Sequence, residues 1–184
     1  MSLRISGGLF RGRVLKSPKG DQTRPTTSMV REAVFNICYE WVPRARFLDL
    51  FAGSGAMGLE AISRGASFVT FVEKDRTAAQ CIRQNIELLQ VESQSQLLSL
   101  DVKLAVPKLL SPYDLIYIDP PYEKDAGPVL DAIAKYKLLA PGGLLFLEEQ
   151  YKAKSEPSVP AGFTLLESRR YGIAHLHQYR LSLG

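Results

Sequence analysis

Apolar residues run almost unbroken through five short segments: RFLDLFA (46–52), FVTFVE (68–73), LLSLDV (97–102), YDLIYID (113–119) and LLFLEE (144–149). Such runs suit buried parallel strands, whose sheet is covered on both faces. Between them, apolar positions recur at helical spacing. Ala78, Ile82, Ile86 and Leu89 line one face of TAAQCIRQNIELLQ (77–90). Helices are also expected over 58–64 and 127–139, the second stopped by Pro141, Gly142 and Gly143. FTLLESRRYG and HLHQYRL, within 163–181, predict a final antiparallel pair. Strands alternating with helices predict a doubly wound, mainly parallel sheet.

Upstream the pattern changes. ISGGLFRGRVL (5–15) alternates around glycine pairs and predicts a β-hairpin or short strands. Thr26 or Thr27 then caps a helix to about Trp41, with Val30, Val34, Ile37 and Trp41 on one face and Pro43 beyond its end. The expected organisation is one domain, a hairpin-and-helix extension over 1–45 on a Rossmann-like core over 46–184. The 184 residues suffice for one sizeable core.

Composition narrows the class. Hydrophobic residues make up 46% of the chain, near the globular average. No apolar stretch reaches the ~20 residues that span a bilayer, and MSLRISGGLFRGR lacks a signal-peptide core. Cys38 and Cys81 stand alone, which fits two reduced thiols in a cytoplasmic protein with no metal site. Net charge is +4, unevenly spread. Residues 1–46 carry nine Lys or Arg against three acids, whereas the remainder carries 14 against 16. A basic arm on a mildly acidic body suits a polyanion such as nucleic acid.

The first strand runs into DLFAGSGAMGLEA, where Gly53, Gly55 and Gly58 form GxGxxG between strand and helix. Glu73 ends the second strand twenty residues after Gly53, where a carboxylate can bind ribose hydroxyls. This much fits NAD and S-adenosylmethionine equally. Asp49, four residues before Gly53, favours the second. A carboxylate repels a pyrophosphate but complements the ammonium and sulfonium of S-adenosylmethionine. Asp101, expected at the end of the third strand, can accept from the adenine amino group.

The fourth strand ends in IDPPY (118–122). In doubly wound sheets this edge faces the glycine loop across the crevice. An exocyclic amine has its lone pair delocalised into the base, and two acceptors can orient its N–H groups for attack. The Asp119 carboxylate and Pro120 carbonyl fill those roles, Pro121 helps hold the backbone, and Tyr122 offers a stacking face. The expected chemistry is amine methylation. DPPY does not separate guanine N2 from adenine N6, so a DNA adenine-N6 methyltransferase stays open, though no target-recognition domain is evident. A non-catalytic RNA-binding assembly protein also stays open, against the intact Asp49, Glu73 and DPPY.

Four segments resemble the RsmD family of bacterial 16S rRNA guanine-N2 methyltransferases: RISGGLFRGRVL (4–15), RPTTSMVREAVFNI (24–37), FLDLFAGSGAMGLEAISRGA (47–66) with VEKD (72–75), and IDPPY (118–122). The resemblance covers nearly the whole chain, and its N-terminal pair is the most specific part. It implies a class I S-adenosylmethionine-dependent methyltransferase fold with a seven-stranded sheet. It implies cofactor binding at Asp49, Phe51, Gly53, Gly55, Glu73, Lys74 and Asp101. It implies that Asp119, Pro120, Pro121 and Tyr122 hold the target base. The implied partner is 16S rRNA within the small ribosomal subunit or its assembly intermediate, in the hairpin loop near the P site (guanine 966 in the usual rRNA numbering). A monomer is expected.

The basic arm has its own reading. Arg24 precedes Pro25, and Arg31 lies one turn into the helix, so both guanidiniums and the helix N-terminus with Thr26 suit a phosphate. Arg11, Arg13 and Lys19 extend that footprint, and Arg169 and Arg170 close its other side. His175 and His177 alternate on a strand and read as structural.

Overall fold

The computed structural model describes residues 2–18, 25–121, 125–152 and 157–182, with the side chains of 25–27 outside the description. The elements are α1 (Pro25–Ile37), β1 (Arg46–Leu50), α2 (Ala56–Ser63), β2 (Phe68–Val72), α3 (Arg76–Leu89), β3 (Ser95–Leu98), α4 (Val102–Ala105), β4 (Tyr113–Ile118), α5 (Gly127–Lys135), β5 (Leu139–Gln150), β6 (Phe163–Tyr171) and β7 (Ala174–Leu181). The seven strands lie in the order β3-β2-β1-β4-β5-β7-β6. The first five are parallel, and β7 and β6 add antiparallel. This is the doubly wound, mainly parallel sheet expected from the apolar runs.

Alternation along each strand splits the core in two. Phe47, Leu115, Tyr117 and Phe146 face α1, α2 and α3. Leu48, Leu50, Ile116, Ile118 and Leu147 face α4 and α5. Strand order reverses between β1 and β4, where Asp49 pairs with Tyr117 and Leu50 with Ile118. A crevice opens at such a switch point, beyond the carboxyl ends of the strands.

Several boundaries differ from expectation. Helix α1 ends at Ile37, and the chain turns through Cys38 rather than continuing to Trp41. Val30, Val34 and Cys38 follow a strict i, i+4 spacing into the core, whereas Trp41 is exposed. Burial pushes the Cys38 thiol up to about 12, so it packs as a small hydrophobe. Helix α5 stops at Lys135, and Pro141, Gly142 and Gly143 lie inside β5 instead of ending a helix. They form a bulge: Tyr113 pairs with Leu139 but Leu115 with Leu144, which leaves the proline outside the regular ladder. Strand β3 covers Ser95–Leu98 rather than starting at Leu97, because Val69 to Val72 draw those residues into register.

The N-terminal segment makes one isolated antiparallel bridge, Arg4 with Val14, and otherwise turns. Leu3, Ile5 and Leu15 insert among residues of α1, α2 and α3. The segment is held by α2: the N–H groups of Leu9 and Phe10 donate to the carbonyl and hydroxyl of Ser63. A Cβ on Gly8, at φ 77°, would stand 1.9 Å from that carbonyl oxygen, so only glycine allows the approach.

Candidate active site

The glycine loop is shaped from beneath by two carboxylates. Phe51 leaves β1 at φ 60°, a conformation that bulky side chains rarely adopt, and turns the chain into the loop. Gly53 and Gly55 follow at φ 56° and 79°, and Gly55 caps α2. The Glu73 carboxylate accepts from the N–H of Gly53 and of Asp75, each at 2.8 Å. Asp49, buried on β1, accepts from Gly58 N–H at 2.9 Å. Gly58 sits close to β2, where a Cβ would meet the Phe71 ring at 2.3 Å. Burial raises the Asp49 carboxyl, the Gly58 bond opposes that, and the nearby Glu73 charge adds to it; the result is about 8.

This wiring bears on the ligand. A pyrophosphate-binding loop presents free N–H groups to the anion. Here Gly53 N–H is given to Glu73, and Gly55 N–H to the Ala52 carbonyl. A Cβ built on Gly53 meets nothing within 4 Å, so the loop borders open space. The Glu73 carboxylate, the Asp49 carboxyl beneath the loop and no free loop amide at these two positions suit a ligand with hydroxyls and positive charge. They fit S-adenosylmethionine and oppose a dinucleotide.

Asp101 corrects an expectation. It does not end a strand but caps α4, accepting from Lys103 N–H at 3.0 Å. Lys74, exposed after β2, places its ammonium 3.5 Å from the other Asp101 oxygen. The pair lies over the β2–β3 edge, where Glu73 N–H donates to the Leu98 carbonyl. The displacement follows from β3 ending three residues early.

Across the crevice, the Asp119 N–H donates to the Leu50 carbonyl at 3.4 Å, which carries the strand pairing one residue beyond β4. Asp119 therefore stands beside the start of the glycine loop. Pro120 is buried and Pro121 exposed. Tyr122 lies outside the described residues. Two side chains that the sequence reading passed over lie here. The Tyr117 hydroxyl donates to the Glu148 carboxylate, both buried on neighbouring strands. Burial first, then the charges of Glu148, Asp119 and Asp49, hold the Tyr117 phenol well above its usual range. Burial also raises Glu148. Acidic residues at the ends of apolar runs were the available signal, and only strand order pairs them.

The basic residues divide. Arg11 and Arg13 are exposed on the N-terminal turns. Arg169 is exposed and bonds Glu167 at 2.6 Å; Arg170 donates to the Gly172 carbonyl and lies 3.9 Å over the Tyr151 ring. Both sit by the β6–β7 turn, and the register of Gln150 with Ala174 puts that turn at the same sheet edge as Asp119. Lys19 and Arg24 lie outside the described residues, as does the Thr26 side chain. Arg31 departs from the expected phosphate-facing position. It is buried, donating to the Arg4 carbonyl at 2.7 Å with its Nε 3.4 Å from Glu60. Its helical phase, four residues before the buried Phe35 on the same face, carries it inward.

Glu60 is the partner that sequence reasoning missed. Fully buried on α2, it accepts from Ser6 N–H, Ser6 hydroxyl and Gly7 N–H, each at 2.8 Å, and from Arg64 at 2.9 Å. Its signal was an acid inside GLEAIS, four residues before Arg64. Ser168 meanwhile bonds both His175 and His177 at 2.8 Å, and His177 lies 3.4 Å from Glu149, a polar cluster shared by β5, β6 and β7. Among the described residues no group of His, Cys, Asp or Glu could hold a metal ion, and no helix is long and apolar enough to cross a membrane.

The model of the family described as conserved hypothetical protein 95 matches residues 3–180. Ribosomal RNA small subunit methyltransferase D of Haemophilus influenzae is 34% identical, with 97% of this chain and 93% of that protein covered. The protein of the same name from Escherichia coli K12 is 33% identical, covering 97% and 88%. The solved structure of Escherichia coli yhhF superposes with a TM-score of 0.88 at 31% identity, covering 98% of each chain. The chain belongs to the conserved hypothetical protein 95 family, the RsmD family of class I S-adenosylmethionine-dependent methyltransferases.

Proposed function

We propose that this protein methylates the exocyclic N2 amine of a guanine in 16S rRNA, within the small ribosomal subunit or its assembly intermediate. The observation that carries the reading is the Asp119–Leu50 hydrogen bond, which sets the DPP edge against the glycine loop. When bound, S-adenosylmethionine supplies an electrophilic methyl group on a sulfonium. Glu73, its carboxylate aimed by two backbone N–H groups, would accept from the ribose hydroxyls. Asp49, buried under the loop, would favour the cationic end through its charge, and Asp101 beside Lys74 would accept from the adenine amino group. The Asp119 carboxylate and the Pro120 carbonyl accept the two N–H groups of the target amine and turn its lone pair toward the methyl. No separate general base is needed, because a methylated ammonium loses its proton readily.

The RNA side rests on the small-subunit methyltransferases to which the chain is related and on charge. Arg11 and Arg13 on the N-terminal turns, with Lys19 and Arg24 beyond, form one arm of the footprint; Arg169 and Arg170 form the other. A duplex-embedded base would have to be extruded to reach Asp119. The test is incubation of the protein with labelled cofactor and unmethylated small subunits, followed by mapping of the label. Label on guanine N2 is expected. Label on another base, or transfer to naked duplex DNA, would overturn the assignment.

A further inference from the structure

Asn85 is fully buried on α3, and its amide is fully engaged. Its Oδ1 accepts from Lys16 N–H at 2.8 Å, and its Nδ2 donates to the Lys16 carbonyl at 2.9 Å and to the Ser54 carbonyl at 3.2 Å. One side chain thus acts as a strand neighbour to Lys16 and as a support for the glycine loop. Lys16 follows directly on the docked N-terminal turns that carry the exposed Arg11 and Arg13, the basic arm. Ser54 lies between Gly53, held by Glu73, and Gly55, which caps α2. A continuous chain of bonds runs from Lys16 through Asn85 and Ser54 to the loop that Glu73 fastens.

We infer that Asn85 is a positioning residue that couples seating of the basic arm on RNA to the cofactor loop. The inference rests on the proposed RNA methylation. Because Asn85 is buried, any displacement of Lys16 leaves an amide unpaired or drags the Ser54 carbonyl with it. RNA that holds the arm seated keeps the loop in its ligand-ready form, and a bound cofactor keeps the arm seated. Linkage makes the two effects equal in size. Neither ligand touches Asn85, so its effect is on affinity ratios rather than on the reacting atoms.

The experiment is equilibrium dialysis of labelled S-adenosylhomocysteine against the full chain, with and without saturating unmethylated small subunits. In the unaltered protein the subunits are expected to tighten binding about fivefold or more, the lower end of ordinary coupling. Asn85→Ala should bring that ratio below about twofold. That variant also opens the core, so Lys16→Pro is the second arm. It deletes only the Lys16 N–H that Asn85 Oδ1 accepts, should lower the thermal midpoint by a few degrees without unfolding the chain, and should likewise lower the ratio. Asn85→Asp, which keeps the acceptor for Lys16 N–H but turns an oxygen on the Lys16 and Ser54 carbonyls, should stay as low as Asn85→Ala. A ratio of one in the unaltered protein with both ligands bound, or an unchanged ratio in Lys16→Pro, would overturn the coupling. Absence of any binding of S-adenosylhomocysteine would instead remove the methyltransferase reading and this inference with it.

Discussion

The Gly53 N–H donates to the Glu73 carboxylate at 2.8 Å, tying the glycine loop to the end of the neighbouring strand. With its other oxygen on Asp75 N–H, the carboxylate is aimed before any ligand arrives, and each oxygen keeps a lone pair for a hydroxyl. Glu73→Ala should therefore weaken S-adenosylmethionine binding by roughly tenfold or more, as expected for loss of hydrogen bonds to a charged acceptor. Glu73→Gln should fall between the two. Isothermal titration checks this, and unchanged affinity in the alanine variant would remove Glu73 from the cofactor site.

Asp49 makes cofactor binding depend on pH. Its carboxyl is raised to about 8 by burial, so at neutral pH it is largely protonated. A cation favours the charged form, so binding releases a proton and affinity should rise as pH climbs from 6 toward about 8. The effect on folding has the opposite slope. The folded value lies above the unfolded one, so this group's contribution to stability is complete below the model value of 3.8 and is lost as pH rises through about 8. Asp49→Asn should flatten the pH dependence of cofactor affinity between pH 6 and 8 measured by titration calorimetry.

Asp119→Ala should abolish turnover while leaving the dissociation constant of S-adenosylmethionine within about threefold, because its side chain serves the amine and its backbone N–H, bonded to Leu50, survives the substitution. Retained turnover would refute the amine-clamp role.

Glu60→Ala strands two backbone N–H groups and leaves Arg31 and Arg64 without their buried acceptor. Removing one partner of a buried ionic network costs about 3–5 kcal/mol, so the thermal midpoint should drop by roughly 6–20 °C. Arg31→Ala should fall in the same direction. Calorimetry reads both, and a midpoint within 2 °C of the unaltered protein would contradict the network's role.

For RNA, Arg11→Ala and Arg13→Ala should each reduce the slope of log affinity against log salt by about one, without affecting the midpoint. Filter binding to small subunits over a salt series gives the slope. An unchanged slope in both would place the footprint elsewhere.

Much of the fold was legible because its signals are local. An apolar run, a glycine turn and a helical repeat each lie within about a dozen residues, and their order alone predicts a parallel sheet. The helix boundaries were less so: Trp41 has the spacing of a buried residue, and only the turn at Cys38 turns it to solvent. Asp101 looked like a strand-end acid until the β2–β3 register ended the strand at Leu98. Arg31 looked like a phosphate ligand because a guanidinium at a helix start suits one, but nothing nearby in sequence announces Glu60.

By itself, then, the sequence determined the alternation of strand and helix, the glycine loop with Asp49 and Glu73, and the DPPY edge, since each follows from neighbours along the chain. Tertiary structure decided which charges lie inside. Glu60 meets Ser6 across 54 residues, Asn85 meets Lys16 across 69, and Glu148 meets Tyr117 across 31. A buried charge or amide is tolerated only where distant groups supply its bonds, and those partners exist only once the sheet has been ordered and the N-terminal segment laid against α2 and α3.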